Sequence, residues 1–126
     1  MFRIEYPSKH SEAEIEASLW VTLRHHNIDA RLQVSAYSVS PYSVRSSTRT
    51  EKANRLDVVV FKDGKPLCII ECKSWSGNYE RVARYQRLKN SKQIRKYEEL
   101  YKLPVLICAR MSYIKQIVNQ VLSLSK

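Results

Sequence analysis

Apolar positions change period along this chain, and each change marks an element. Ile15, Leu19 and Leu23 recur at helical spacing with Trp20 beside them, which predicts a helix from about Ser11 to His26. Ser11 followed by Glu14 reads as a capping box, the serine accepting from an orphan amide and the glutamate reaching back. Asn27 tolerates the left-handed conformation that stops a helix. Residues 30–40, ARLQVSAYSVS, read as a strand. The stretch from Ser40 to Asn54 is rich in Ser, Thr and Arg without periodicity and reads as a loop or polar hairpin. Two stronger strands follow, RLDVVVFK over Arg55 to Lys62 and PLCIIECKS over Pro66 to Ser74. Both are apolar on both faces, as strands covered by other layers are, and Asp63-Gly64 marks the turn between them. A helical region is expected from about Tyr79 to Tyr101 with a break near Asn90-Ser91, then a strand at 105–109, VLICA. The last helix, about Ser112 to Leu124, carries Ile114, Ile117, Val118 and Val121 on one stripe. The order α-β-β-β-α-β-α predicts an α/β sandwich around one mixed sheet, with residues 1–126 as a single domain free of repeats.

Composition narrows the class. Hydrophobic residues make up 44% of the 126, enough for a core and too many for a disordered chain. Only Gly64 and Gly77 are glycine, which argues against a glycine-cradled phosphate loop. No apolar run approaches the roughly 18 residues of a membrane span, and MFRIEYPSKH has no stretch of signal-peptide length. A soluble, cytoplasmic protein is expected. Cys68 and Cys72 lie in one strand, roughly 13 Å apart at about 3.3 Å per residue, too far for a disulfide. With Cys108 they make a poor zinc set and read as buried thiols.

Charge points to a polyanion. Twenty-two Lys and Arg against twelve Asp and Glu leave a net charge of +10, which suits nucleic acid before membrane. Residues 79–102 hold Arg81, Arg84, Arg87, Lys89, Lys92, Arg95, Lys96 and Lys102 against Glu80, Glu98 and Glu99. The plain alternative for that run is a solvated helix face.

The chemistry lies in the apolar strands. Asp57, Glu71 and Lys73 are costly to bury unless they pair or bind a metal. Glu71 and Lys73, two apart, project from one face of their strand, and Asp57 on the neighbouring strand can complete a site. Two carboxylates leave open positions on Mg²⁺ for water and a phosphate oxygen, and the ion then polarises phosphate and activates water. The alternative is a structural ion pair of Lys73 with either carboxylate. Parity offers a test. A plain two-residue turn at Asp63-Gly64 sets residue 57 opposite residue 70 and turns Asp57 away from Glu71. A shared site needs an odd loop or a bulge, and Pro66, with no N–H to donate, is compatible with an irregular start to its strand.

Asp57, thirteen residues, then Glu71-Cys72-Lys73, after a helix with acidic residues, resembles the PD-(D/E)xK nuclease superfamily. More narrowly, RLDVVVFKDGKPLCIIECK resembles the nuclease domain of type I restriction motor subunits, which also carry Q-x-x-x-Y on the next helix; Gln93 and Tyr97 in QIRKY fit it. Leu56 stands where the superfamily's proline usually precedes the aspartate, and the stretch between Lys73 and Gln93 is longer than in the restriction group. The resemblance implies a restriction-endonuclease-like α/β/α sandwich and a DNA endonuclease using Mg²⁺ or Mn²⁺. It implies that Asp57 and Glu71 bind the metal and that Gln93 and Tyr97 orient the site or contact nucleic acid. It also implies a metal-side glutamate from the first helix. Glu14 is committed to the cap and Glu12 is explained by the helix dipole, so Glu16, beside the buried stripe, is favoured over Glu12.

Beside two carboxylates Lys73 stays an ammonium and is expected to position water and stabilise charge on phosphate. Arg45, Arg49 and Lys52, with Tyr42 interleaved, are candidates for DNA contact alongside Arg84, Lys92 and Lys96. Trp75 reads as core packing, and Gln33 is too isolated to assign. His25-His26-Asn27 is no HNH site, because adjacent histidines point about 100° apart on a helix and no ββα frame surrounds them. Cutting both strands of DNA calls for a homodimer or higher homo-oligomer. The competing readings are a catalytically silent DNA-binding module, a Holliday-junction or structure-specific resolvase, and a basic interaction protein, which leaves Asp57 and Glu71 unexplained.

Overall fold

The first helix, α1 (Glu12–His25), starts where its cap directs. Glu14 donates its amide to Ser11 Oγ at 3.1 Å and Ser11 donates its own to Glu14 Oε1 at 2.8 Å, and Asn27 closes the helix at φ 61°. In the computed structural model, residues 10–35, 39, 55–73, 92 and 94–126 are described. Strands β1 (Asp29–Ser35), β2 (Arg55–Lys62), β3 (Lys65–Cys72) and β4 (Val105–Cys108) form one sheet in the order β1-β2-β3-β4. The first two pairings are antiparallel and β3–β4 is parallel, so the sheet is mixed as expected. A helix, α2, includes residues 94–101. After β4, a 3₁₀ turn (Met111–Tyr113) leads into α3 (Ile114–Leu124).

Two cores lie on opposite faces of the sheet. One joins Ile15, Leu19 and Leu23 of α1 and Ile114, Ile117, Val118 and Val121 of α3 to Val58, Val60, Cys68, Ile70 and Cys72. The other joins Leu56, Val59, Phe61, Ile69 and Val105 to Tyr101, with Ile94, Tyr97 and Leu100 packed against it. Helices on both faces of one sheet make the α/β/α sandwich. The alternation Val58/Val59/Val60 into opposite cores explains why the middle of β2 is apolar on both faces rather than at every second residue.

The first strand runs to Ser35, which pairs with Arg55, the first residue of β2; of the remainder of the expected strand, Val39 is helical and residues 36–38 and 40 lie outside the described residues. Beyond Ser35, β2 has no residue left to pair with. The three cysteines are buried and free. Burial pushes the Cys68 thiol up to about 12 and the Cys108 thiol up to about 11, so neither is a ready thiolate. Among the described residues no helix is long and apolar enough to cross a membrane.

Candidate functional site

The β2–β3 hairpin decides which side chains meet. Asp63 (φ 53°) and Gly64 (φ 79°) are both left-handed, the conformation of a primed two-residue turn, and Lys62 pairs with Lys65 and Phe61 with Pro66. Continued unchanged, that register sets residue 57 against residue 70. It shifts between Val60 and Phe61, so that Val60 faces Cys68 and Val58 faces Ile70. Leu67 is the extra residue, next to the proline that has no amide to pair. One step beyond Val58, the shifted register brings Asp57 opposite Glu71. The irregularity that a shared site required is therefore present as a bulge within β3, not as a longer turn.

At this level side chains bond to the backbone across the strands. The Asp57 amide donates to Glu71 Oε2 at 3.4 Å, and the Cys72 amide donates to Asp57 Oδ2 at 2.8 Å. Glu71 is 6% exposed, the one charged residue buried among those described. Burial first, and the neighbouring Asp57 charge second, push its carboxyl up to about 7, with Lys73 pulling the other way. Lys73 is half-buried, and its amide donates to the Cys108 carbonyl at 3.0 Å, which holds it beside the end of β4. Among the described residues the ion pairs are Arg24–Asp29 and Arg31–Asp29. Lys73 is thus near enough to act on Glu71 without forming the structural ion pair that was its plain alternative.

The first helix adds a third carboxylate. Glu16 is half-buried, and Gln33 Nε2 donates to its Oε2 at 2.8 Å. Burial first, then the charges of Asp57 and Glu12, raise its pKa, while the Gln33 bond lowers it. Glu16 also acts on Glu71. Of the helix glutamates, Glu14 is spent on the cap and Glu12 is exposed; Glu16 is the one held toward the strands.

The second core backs the site. Tyr97 and Tyr101 stack edge to face with ring centroids 5.6 Å apart. Burial, Tyr97 and Glu71 all raise the Tyr101 phenol, so Tyr101 lies within electrostatic reach of both Tyr97 and the acidic cluster. Sequence reasoning singled out Tyr97, left Gln33 unassigned and gave Tyr101 no role. Lys92 and Lys96 are exposed. Gln93, Arg45, Arg49, Lys52, Arg84, Trp75 and Tyr42 lie outside the described residues. His25 and His26 are exposed at the end of α1, with the His26 ring against the Thr22 carbonyl at 2.9 Å.

No trio of His, Cys, Asp or Glu among the described residues is arranged ready to hold a metal ion. The donor chemistry nonetheless fits a hard divalent cation. Asp57 and Glu71 are oxygen donors on facing strand positions, with a repulsion that no ion pair among the described residues relieves, and each has one carboxylate oxygen beyond the one that accepts an amide.

The family model for the type I restriction enzyme R protein N terminus matches residues 35–117, more than half of the chain. That span contains Asp57, Glu71 and Lys73 and leaves out α1 and Gln33. No curated protein and no solved structure gave a significant match.

Proposed function

The chain belongs to the family of type I restriction enzyme R protein N-terminal domains, which are PD-(D/E)xK nuclease-like, and from that premise we propose that it is a metal-dependent deoxyribonuclease of endonucleolytic type. The observation that carries this reading is the bulge that sets Asp57 beside a buried Glu71 with Lys73 two residues on. Asp57 and Glu71 are the residues to hold Mg²⁺ or Mn²⁺, with Glu16 as the third carboxylate in preference to Glu12. When bound, the cation supplies Lewis-acid polarisation of phosphate and a lowered pKa for water.

The protein's own groups do the rest. The Cys72 amide fixes the orientation of Asp57 through Oδ2, and the Asp57 amide does the same for Glu71. Lys73, an ammonium without a direct carboxylate partner among the described residues, is placed to orient water and to stabilise negative charge that grows on the phosphate oxygens. The exposed Lys92 and Lys96 extend a cationic surface along α2 toward a phosphate backbone. A homodimer or higher homo-oligomer would supply one site for each strand of duplex DNA.

The test is to incubate supercoiled plasmid and linear single- and double-stranded DNA with the purified protein and Mg²⁺ or Mn²⁺, beside Asp57→Ala and Lys73→Ala. Cutting by the wild type that both substitutions and chelation abolish is expected. DNA bound but left intact under every condition would replace this reading with a silent DNA-binding module.

A further inference from the structure

Gln33 occupies an unusual backbone state beside the site. Its φ is 50° in the middle of β1, a left-handed conformation that side chains disfavour and strands do not require. Leu32 pairs with Val58 and Val34 with Leu56, so neither strand carries an extra residue and Gln33 stands opposite Asp57. A register bulge therefore does not account for the distortion. Both ends of the residue are held in it. The Gln33 carbonyl accepts from Arg55 Nη1 at 3.0 Å, and the side-chain amide donates to Glu16 Oε2 at 2.8 Å.

Backbone strain of this kind persists where surrounding contacts over-determine it, and it gathers at functional sites. The bond to Glu16 joins β1 to α1 at the level of Asp57. It occupies one carboxylate oxygen of Glu16 and leaves the other unclaimed by Gln33. Groups that orient a ligand by hydrogen bonding typically matter about 10–100-fold to metal affinity.

We propose that Gln33 is a positioning residue that holds the Glu16 carboxylate toward Asp57 and Glu71 for a divalent cation. This rests on the nuclease reading of those carboxylates. The test measures Mn²⁺ uptake calorimetrically on the full chain, as wild type and as Gln33→Ala, Gln33→Gly, Glu16→Ala, Glu16→Ala/Gln33→Ala and Asp57→Ala, with thermal unfolding of each. Gln33→Ala and Gln33→Gly should each weaken Mn²⁺ by about tenfold or more. The glycine variant should melt no lower than wild type, since glycine accepts φ 50° freely; that separates the lost amide from a damaged strand. Glu16→Ala should bind weakly, and removing Gln33 as well should change nothing further. Wild-type affinity in the Gln33 variants or in Glu16→Ala would overturn the proposal, as would an undiminished Gln33 effect in the absence of Glu16. Wild-type protein that takes up no Mn²⁺, like Asp57→Ala, would instead defeat the parent reading and this proposal with it.

Discussion

The two ends of the β2–β3 hairpin are built by different rules. At the closed end, Asp63 and Gly64 adopt the left-handed pair that a tight turn demands, and their neighbours pair by backbone alone. At the open end, Asp57 and Glu71 stand opposite each other with side chains accepting amides across the strands, and one buried carboxylate is pushed up to about 7. The closed end satisfies its backbone hydrogen bonds within the turn, and its one like-charge pair, Lys62 opposite Lys65, lies exposed to solvent, where the repulsion is screened. The open end concentrates like charge in a dry place, which a fold keeps only at some cost in stability. Between them a single extra residue, Leu67, reconciles a turn that local chemistry dictates with a pairing that the site requires.

The largest effects should come from removing chemistry at the open end. Asp57→Ala and Glu71→Ala are expected to bring DNA cleavage to background. Lys73→Ala should lower the cleavage rate by about 10²–10³-fold while leaving thermal unfolding close to wild type. Equal cleavage by Lys73→Ala and wild type in a plasmid-nicking assay would remove Lys73 from the chemistry.

Next comes the electrostatic conflict. The Glu71 pKa is raised on folding, so the folded state holds its proton more tightly than the unfolded chain. Stability from this source is complete below the ordinary value of 4.5 and is lost as pH rises through about 7. Glu71→Gln should therefore stabilise the metal-free protein by about 3 kcal/mol at pH 8 and by little at pH 4. Urea unfolding in chelator across that range measures it. Identical pH slopes for the variant and the wild type would show that the buried carboxylate is not the source of the conflict.

The bulge separates the two ends most sharply. Deleting Leu67 leaves Phe61 with Pro66 and Val60 with Cys68, a regular hairpin in the same register. Cleavage is expected to survive within about tenfold, with a loss of about 1–2 kcal/mol for the missing apolar contacts. Abolished cleavage in a folded deletion variant would mean that the local twist of the bulge, and not register alone, shapes the site.

The smallest effect belongs to the turn. An added Cβ at Gly64 meets nothing within 4 Å, so Gly64→Ala costs only the left-handed strain at φ 79°, about 1 kcal/mol. Chemical denaturation should detect it with no change in DNA cleavage.

Short-range physics made much of this readable along the chain. The Ser11–Glu14 box, the Asn27 stop, the stripe of α3 and the doubly apolar β2 and β3 each rest on neighbours within a few residues. They appear in the fold with their ends moved by one or two positions. The pairing of Asp57 with Glu71 was legible as a requirement, since side-chain parity in a strand is strict, but two ways of meeting it were open, and packing at Pro66-Leu67 selected the bulge over a longer turn. Glu16 was separable from Glu12 by its place beside the buried stripe. Gln33 and Tyr101 were not legible, because neither belongs to a local pattern. Gln33 is placed by a strand register that brings it opposite Asp57 and a helix that brings it Glu16, and Tyr101 by a core layer that buries it within electrostatic reach of Glu71. Local propensity and periodicity act over one turn or one hairpin. The meeting of α1, β1, β2 and β3 is a property of long-range packing, and it is there that the charge environment of the site is set.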